Sequence, residues 1–411
     1  MPIVLVISVS LIVTLMFWLI LPPQLYENEN TDYIAFYEPV SRNILTGAGI
    51  EDIHGRVAII YPPGYPIILA GIFKAAEFLH ISEEVSLSVF TLLCMAAAAV
   101  FVFSVMQTVW DPTATLICSL IWVTYPLVLW FTKQPNSEIP FLVVFYAAFS
   151  LFWYSLVQQS TNWFNYFLSG LLIGIAMLIR PIAIGTGLVL AAILWYAAHW
   201  ARPRSRLFLV SMVLLGNLLA VCPWEAWVYF KTGRVIPLSS NGAAALIDGF
   251  TFGINGREFR QGVHLPEDVR ALMYKIQGRS GELTSSGDFV LLMKEELKSN
   301  PLAVAKLFII KLARSWYATD SQRFETLIIF IQIPYLLLIL WSSKLAWNEG
   351  GIQQTLVISV WLMILYFWAM TTVSSTIVRY MVPAMGLSFF LLPVLFQSGR
   401  RDPEMIKLKR I

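Results

Sequence analysis

Residues 302–318 read LAVAKLFIIKLARSWYA, and the topology of the whole chain turns on them. They are apolar enough to suggest a membrane span, yet a span would bury Lys306, Lys311 and Arg314 in hydrocarbon, where each charge is costly. A span here would also carry Arg400, Arg401, Lys407, Lys409 and Arg410 to the outer side of the membrane. Read instead as a helix lying in the membrane interface, the same residues leave an even number of crossings and both termini in the cytoplasm. Arg202, Arg204 and Arg206 then share the inner side with the basic tail 398–411, which is the arrangement the positive-inside rule prefers.

The rest of the chain supports a membrane reading. Of its 411 residues 58% are hydrophobic and only 13% charged, where a soluble domain carries about a quarter charged residues. Apolar runs of about twenty residues recur along the chain. The expected spans are 3–21, 86–108, 113–131, 139–157, 164–179, 182–200, 207–223, 324–341, 353–372 and 380–397. The run from Phe164 to Trp200 is too long for one crossing, and Arg180-Pro181 divides it into two. The first run lacks a basic leader and a small-residue cleavage site, so it reads as an uncleaved span. Fold class is therefore all-α, a single polytopic membrane domain over 1–411 with about ten transmembrane helices. The net charge of +3 is small, and no basic cluster suggests a nucleic-acid partner. Cys94, Cys118 and Cys222 lie inside apolar runs without metal spacing and read as small buried residues.

This topology sorts the polar residues onto one side. The two long outer segments are 22–85 and 224–323, the latter containing the interfacial helix 302–318. The short outer turns hold KQPNSEIP (133–140), Arg180-Pro181 and SSTIVRY (374–380). In the first long segment Tyr33, Phe36, Tyr37, Val40 and Ile44 recur at helical spacing, which predicts an amphipathic interfacial helix with Thr31 as its N-cap. Pro39 sits awkwardly inside it and predicts a kink or a later start. A second amphipathic helix over 66–79 follows the turn Tyr61-Pro62-Pro63-Gly64-Tyr65-Pro66.

Asp32 is the carboxylate to single out, although an acid in a first helical turn also serves simply as a favourable charge there. Glu38, just before Pro39, is expected to face water. Glu138, at the start of a span, admits two roles: a solvated helix-end acid or a substrate contact. Arg180 and Arg379 stand at span boundaries on the side of the acids. A lone interfacial arginine snorkels to headgroups, but two beside a carboxylate suit a phosphate. His54 and His264 have no second ligand at useful spacing, so no metal is assigned.

The order of motifs carries a resemblance. An acid with aromatics after the first span is followed by YPPGYPIILA, NSEIPFLVV, LIRPIAI, PWEAWVYFKTGRVIPLSSNGAAALIDGF and RYMVPAM, from about Met1 to Phe396. Each motif alone is weak, but their order resembles the bacterial branch of the GT-C glycosyltransferases, related to protein O-mannosyltransferases and lipid A aminoarabinose transferases. The resemblance implies a bacterial inner-membrane enzyme that takes a sugar from a polyprenyl-phosphate donor. It implies inverting transfer to an acceptor hydroxyl on a glycan, lipid or protein at the outer face. Asp32 takes the place of the family's first-loop base, and Arg379 matches its late Arg-Tyr element. Tyr33, Tyr37, Tyr61 and Tyr65, with Glu138, Arg180, Arg379 and Tyr380, form the expected substrate-binding set. Relatives often carry a second acid where Tyr33 stands, and some carry a lysine where Tyr61 stands. Some also use a divalent ion, but no paired acids of the DxD kind appear here, and no cofactor is expected. Two other classes compete. A transporter or flippase of lipid-linked glycans predicts midplane charges and repeated spans, and a polysaccharide polymerase or ligase predicts a diphosphate-linked donor.

Overall fold

A computed structural model describes residues 2–22, 32–133, 135–251, 265–319, 322 and 324–397. Thr31, His264 and the basic tail 398–411 lie outside the described residues. Regular structure among the described residues is helical. In chain order the α-helices are α1 (Pro2–Ile20), α2 (Glu38–Leu45), α3 (Gly64–Leu79), α4 (Glu83–Gln107), α5 (Pro112–Val123), α6 (Pro126–Trp130), α7 (Glu138–Val157), α8 (Trp163–Ile179) and α9 (Thr186–Ala197). They continue with α10 (Pro203–Thr232), α11 (Gly242–Thr251), α12 (Glu267–Gly278), α13 (Ser286–Ser299), α14 (Pro301–Arg314), α15 (Glu325–Glu349), α16 (Gly351–Val373) and α17 (Val382–Ser388).

Seven segments are long and apolar enough to cross a membrane: α1, α4, α7, α10, α15, α16 and Val378–Phe396. Shorter apolar helices occupy Pro112–Val123, Trp163–Ile179 and Pro181–Ala197. All ten expected spans therefore fall on helical segments. Helices dominate because hydrocarbon offers no partner for backbone N–H and C=O groups, and only a helix satisfies them within one segment. Two boundaries differ from expectation. Helix α15 runs to Glu349, where the expected span ends at 341. Helix α10 continues through Pro223 to Thr232, so residues 224–232 are helix rather than loop. Proline at that depth removes one backbone bond without ending a helix packed against neighbours. Helices α8 and α10 approach closely. A side chain at Gly170 or Gly216 would strike backbone atoms of Val213 or Phe167 on the facing helix, and Gly174 abuts Asn217 in the same way. The spacing Gly170-xxx-Gly174 is the small-residue pattern that lets membrane helices pack backbone to backbone. Cys94 and Cys118 are buried as expected, but Cys222 is exposed on the surface of α10. An apolar surface in a membrane protein faces lipid, so hydrophobicity alone does not place a residue inside.

The stretch 302–318 forms α14 and then a turn, and its charges find protein partners. Helices α11 to α14 enclose a small core of their own, with Phe250, Val269, Met273, Ile276, Phe289, Leu292 and Leu307 buried in it. Lys306 pairs with Asp268 at 2.8 Å. Arg314 makes a two-pronged contact with Glu325, at 2.9 and 3.1 Å. Lys311 is fully buried; it donates to the carbonyls of Gly249 and Ser374 and lies 3.9 Å from the centre of the Phe250 ring. Burial pushes its ammonium well below the usual lysine range. The outward side of α14 keeps an apolar stripe of Leu302, Ile309 and Leu312.

Candidate active site

The site begins with the awkward proline. Residues Tyr33–Tyr37 form one π-helical turn, and α2 starts only at Glu38, with Pro39 in its first turn. The π turn runs directly into α2, with the Glu38 amide donating to the Tyr33 carbonyl, so the proline falls where the wider turn gives way to the α-helix. The wider turn rotates Tyr33, Phe36, Tyr37 and Val40 inward, and all four are buried. Glu38 faces outward as expected and shares Arg42 with Glu83, each at 2.8 Å.

Asp32 precedes this turn, and its side chain makes no capping hydrogen bond to the helix. The carboxylate instead reaches across the fold. Its Oδ1 accepts from the Tyr61 hydroxyl at 3.1 Å, and its Oδ2 accepts from Arg379 Nη2 at 3.2 Å. Tyr61 is held by ring contacts to Phe36 at 5.2 Å and Tyr37 at 5.3 Å. Burial, and then the neighbouring Asp32 charge, push its phenol far above the usual tyrosine range, so it stays a donor. Gly64 permits this placement of the proline turn: a Cβ there would stand 2.5 Å from the Leu178 carbonyl oxygen at the end of α8.

Arg379 joins Asp32 to a second acid. Its Nε lies 3.3 Å from Glu138 Oε1, and the same oxygen lies 2.6 Å from Arg180 Nη1. Arg180 also donates to Ser137 Oγ at 2.9 Å. Tyr380 offers its ring to both guanidinium groups, 5.1 Å from Arg180 and 5.3 Å from Arg379. The result is an alternating row, Asp32, Arg379, Glu138, Arg180, that grades from open to closed. The Asp32 and Arg379 side chains keep 29% and 26% of their exposure, while those of Glu138 and Arg180 keep 7% and 8%.

Glu138 is therefore a buried counter-ion and not a solvated helix-end acid. Ile139, Phe141 and Leu142, which follow it on α7, are buried and apolar, and the two arginines make its charge tolerable there. Arg180, expected to meet a phosphate, faces Glu138 and Ser137 in this arrangement. The cavity beside it measures about 10 Å³, room for roughly one water. Tyr37 and Tyr65 pack edge to face at 4.9 Å, and both are buried. Tyr33 is buried as well, and its hydroxyl lies in the field of Glu38 and Glu83 rather than near Asp32; burial first, then Glu38, raises it to about 12. The row thus gathers Asp32, Tyr61, Glu138, Arg180, Arg379 and Tyr380, with Tyr37 against Tyr61, and leaves Tyr33 and Tyr65 as packing residues beneath.

Two members escape the motif reading. Ser137 supports Arg180, and Asn241 Nδ2 donates to the Tyr61 hydroxyl at 3.3 Å. Both stand inside quoted motifs, NSEIP and SSNG, where a small polar residue next to the conspicuous one was the available signal. The acids do not suit a shared metal ion. The Arg379 guanidinium already lies between Asp32 and Glu138, where a bridging cation would sit, and no group of three His, Cys, Asp or Glu among the described residues is disposed to hold one.

Residues 61–227 match the family model described as dolichyl-phosphate-mannose-protein mannosyltransferase. That stretch begins at Tyr61 and includes Glu138 and Arg180. No curated protein matches the chain. Solved structures of an oligosaccharyltransferase from Archaeoglobus fulgidus share its fold at 12% identity. One, tethered to an acceptor peptide containing the NVT sequon, aligns over 95% of this chain and 49% of its own with a TM-score of 0.55. A second, in complex with Zn and sulfate, covers 98% and 50% at 0.53. A third, named AglB and bound to an inhibitory peptide and a dolichol-phosphate, covers 95% and 50% at 0.54. The chain spans about half the length of these structures. The family match over residues 61–227 and the shared fold agree with the resemblance to the GT-C glycosyltransferases that the motif order carries.

Proposed function

We propose that the protein is an integral-membrane glycosyltransferase that moves a sugar from a polyprenyl-phosphate carrier to an acceptor hydroxyl. The observation that carries this reading is Asp32: a partly open carboxylate held between a phenol and a guanidinium at one end of a membrane bundle. An acceptor hydroxyl is a poor nucleophile, and a carboxylate within reach takes its proton as the new bond forms. The acceptor oxygen attacks the anomeric carbon from the side opposite the phosphate, so configuration inverts. The bond from that carbon to the phosphate oxygen breaks, and its electrons leave with the carrier phosphate. Arg379, one residue away in the row and equally open, meets the charge that develops there. Arg180 and Glu138 hold Arg379 and Tyr380 from behind, and no metal ion takes part. The mannosyltransferase family match and the dolichol-phosphate bound by AglB support a lipid-phosphate donor.

The same reading sets the orientation in a bacterial inner membrane: site outside, both termini in the cytoplasm. Cysteine placed at Ser286 should react with an impermeant maleimide from outside intact cells, and cysteine at Ser205 should react only after lysis. The reverse pattern would invert the protein. The donor assignment is tested by binding of undecaprenyl phosphate to the purified protein. Arg379→Ala should weaken binding by about tenfold to a hundredfold, the range for a hydrogen bond to a charged group. Arg379→Lys should recover only part, because an ammonium lacks the planar fork. Unchanged affinity in Arg379→Ala would remove that residue from the donor site. Mass spectrometry of surface glycans with and without the protein would identify the sugar and the acceptor.

A further inference from the structure

The hydrogen bond from Asn241 to Tyr61 belongs to a larger fastening. The segment Leu238–Asn241, between α10 and α11, lies along Ile59–Tyr61 and is tied to each of its residues in turn. The Ser240 amide donates to the Ile59 carbonyl at 2.9 Å, the Ser239 hydroxyl donates to the Ile60 carbonyl, and Asn241 donates to the Tyr61 hydroxyl. The segment is braced from behind. Leu238 has φ of +59°, a conformation that L residues with branched side chains rarely adopt. It is held there because Trp224 Nε1 donates to its carbonyl at 3.0 Å and its amide donates to Glu225 Oε1 at 2.7 Å. Strain of this kind persists only where the surroundings over-determine it, and it concentrates at functional sites.

We infer that Asn241 is a positioning residue for the base. A phenol has one hydrogen to give and lone pairs to receive with. The Asn241 N–H occupies a lone pair of Tyr61, so the hydrogen of Tyr61 is directed to Asp32 Oδ1. That contact fixes the plane of the carboxylate relative to Arg379 and leaves its remaining lone pairs for the acceptor proton. The fastening also joins the helical unit α11–α14 to the base, because α11 begins at the next residue, Gly242.

This inference rests on Asp32 being the base, and the test separates the two. Transfer would be followed in membranes carrying each full-length variant at matched protein level, scored by the glycan change that the parent protein produces. Asp32→Asn is the control for the reading beneath: if it transfers at the parent rate, that reading has failed whatever Asn241 does. With Asp32→Asn inactive, Asn241→Ala should lower kcat by roughly fivefold, the loss of one hydrogen bond between neutral groups, with donor KM nearly unchanged. Asn241→Asp is the decisive variant. It is the same size, but its carboxylate accepts the Tyr61 hydrogen and draws it away from Asp32, so it should be at least as impaired as alanine. A merely structural asparagine predicts the opposite order, with aspartate near the parent and alanine worse. Tyr61→Phe reads the same link from its other end. Combining it with Asn241→Ala should add no further loss, because both remove one coupled contact. Parent-like turnover in both Asn241 variants, or full additivity with Tyr61→Phe, would overturn the inference.

Discussion

Asp32→Asn should lower turnover by about two to four orders of magnitude, the usual contribution of a positioned proton acceptor. Asparagine keeps the size of the side chain and can still accept from Tyr61 and Arg379, so the fold and the affinity for undecaprenyl phosphate should change little. What it loses is the ability to take a proton at neutral pH. The competing view, that Asp32 is only a favourable charge at a helix start, predicts near-normal turnover and a stability change of no more than about 1 kcal/mol. Geometry already weighs against that view, since the carboxylate makes no capping hydrogen bond and reaches instead to Tyr61 and Arg379. Turnover and thermal unfolding of one purified variant separate the two. A variant that transfers sugar close to the parent rate would move the base elsewhere.

The second large effect is on stability. Glu138→Gln should destabilise the protein by about 3–5 kcal/mol, the range for removing one partner from a buried ion pair. Glu138 is 5% exposed and lies against both guanidinium groups. A neutral amide would leave Arg180 with Ser137 but no counter-charge, in a cavity too small to admit more than about one water. Arg379 would fare better, because Asp32 remains beside it. The double change Glu138→Gln with Arg180→Met should therefore recover a good part of the loss, since it removes the stranded charge together with its partner. Thermal unfolding in detergent reads both variants. A single variant within about 1 kcal/mol of the parent would mean that the row Asp32, Arg379, Glu138, Arg180 is not held together by its charges.

How the row forms explains what a linear reading sees and what it misses. Glu138 was visible as an acid at a span start, but whether water or arginine would surround it was not, because that depends on Arg180 and Arg379 arriving from two other spans. Asp32 and Arg379 stand 347 residues apart. Nothing local to either residue specifies the other. Tyr33 and Tyr65 share residue type and neighbourhood with Tyr37 and Tyr61, yet only the latter two meet at the row. The π turn places Tyr33 and Tyr37, while the proline turn before α3 places Tyr61 and Tyr65.

The sequence alone determined the helical spans, the break at Arg180-Pro181 and the gathering of acids, arginines and tyrosines at the ends of spans. It could do so because a bilayer imposes a one-dimensional rule: each crossing must satisfy its own backbone over about twenty apolar residues. Residues 302–318 show where that rule stops. Their charges argued against a span, but only the packed structure assigned Lys311 to two carbonyls and a ring, Arg314 to Glu325 and Lys306 to Asp268. The candidate site was settled by tertiary structure for the same physical reason. A charge in an apolar fold must be paired, and its partner is whichever opposite charge the packing of distant helices brings within a few ångströms.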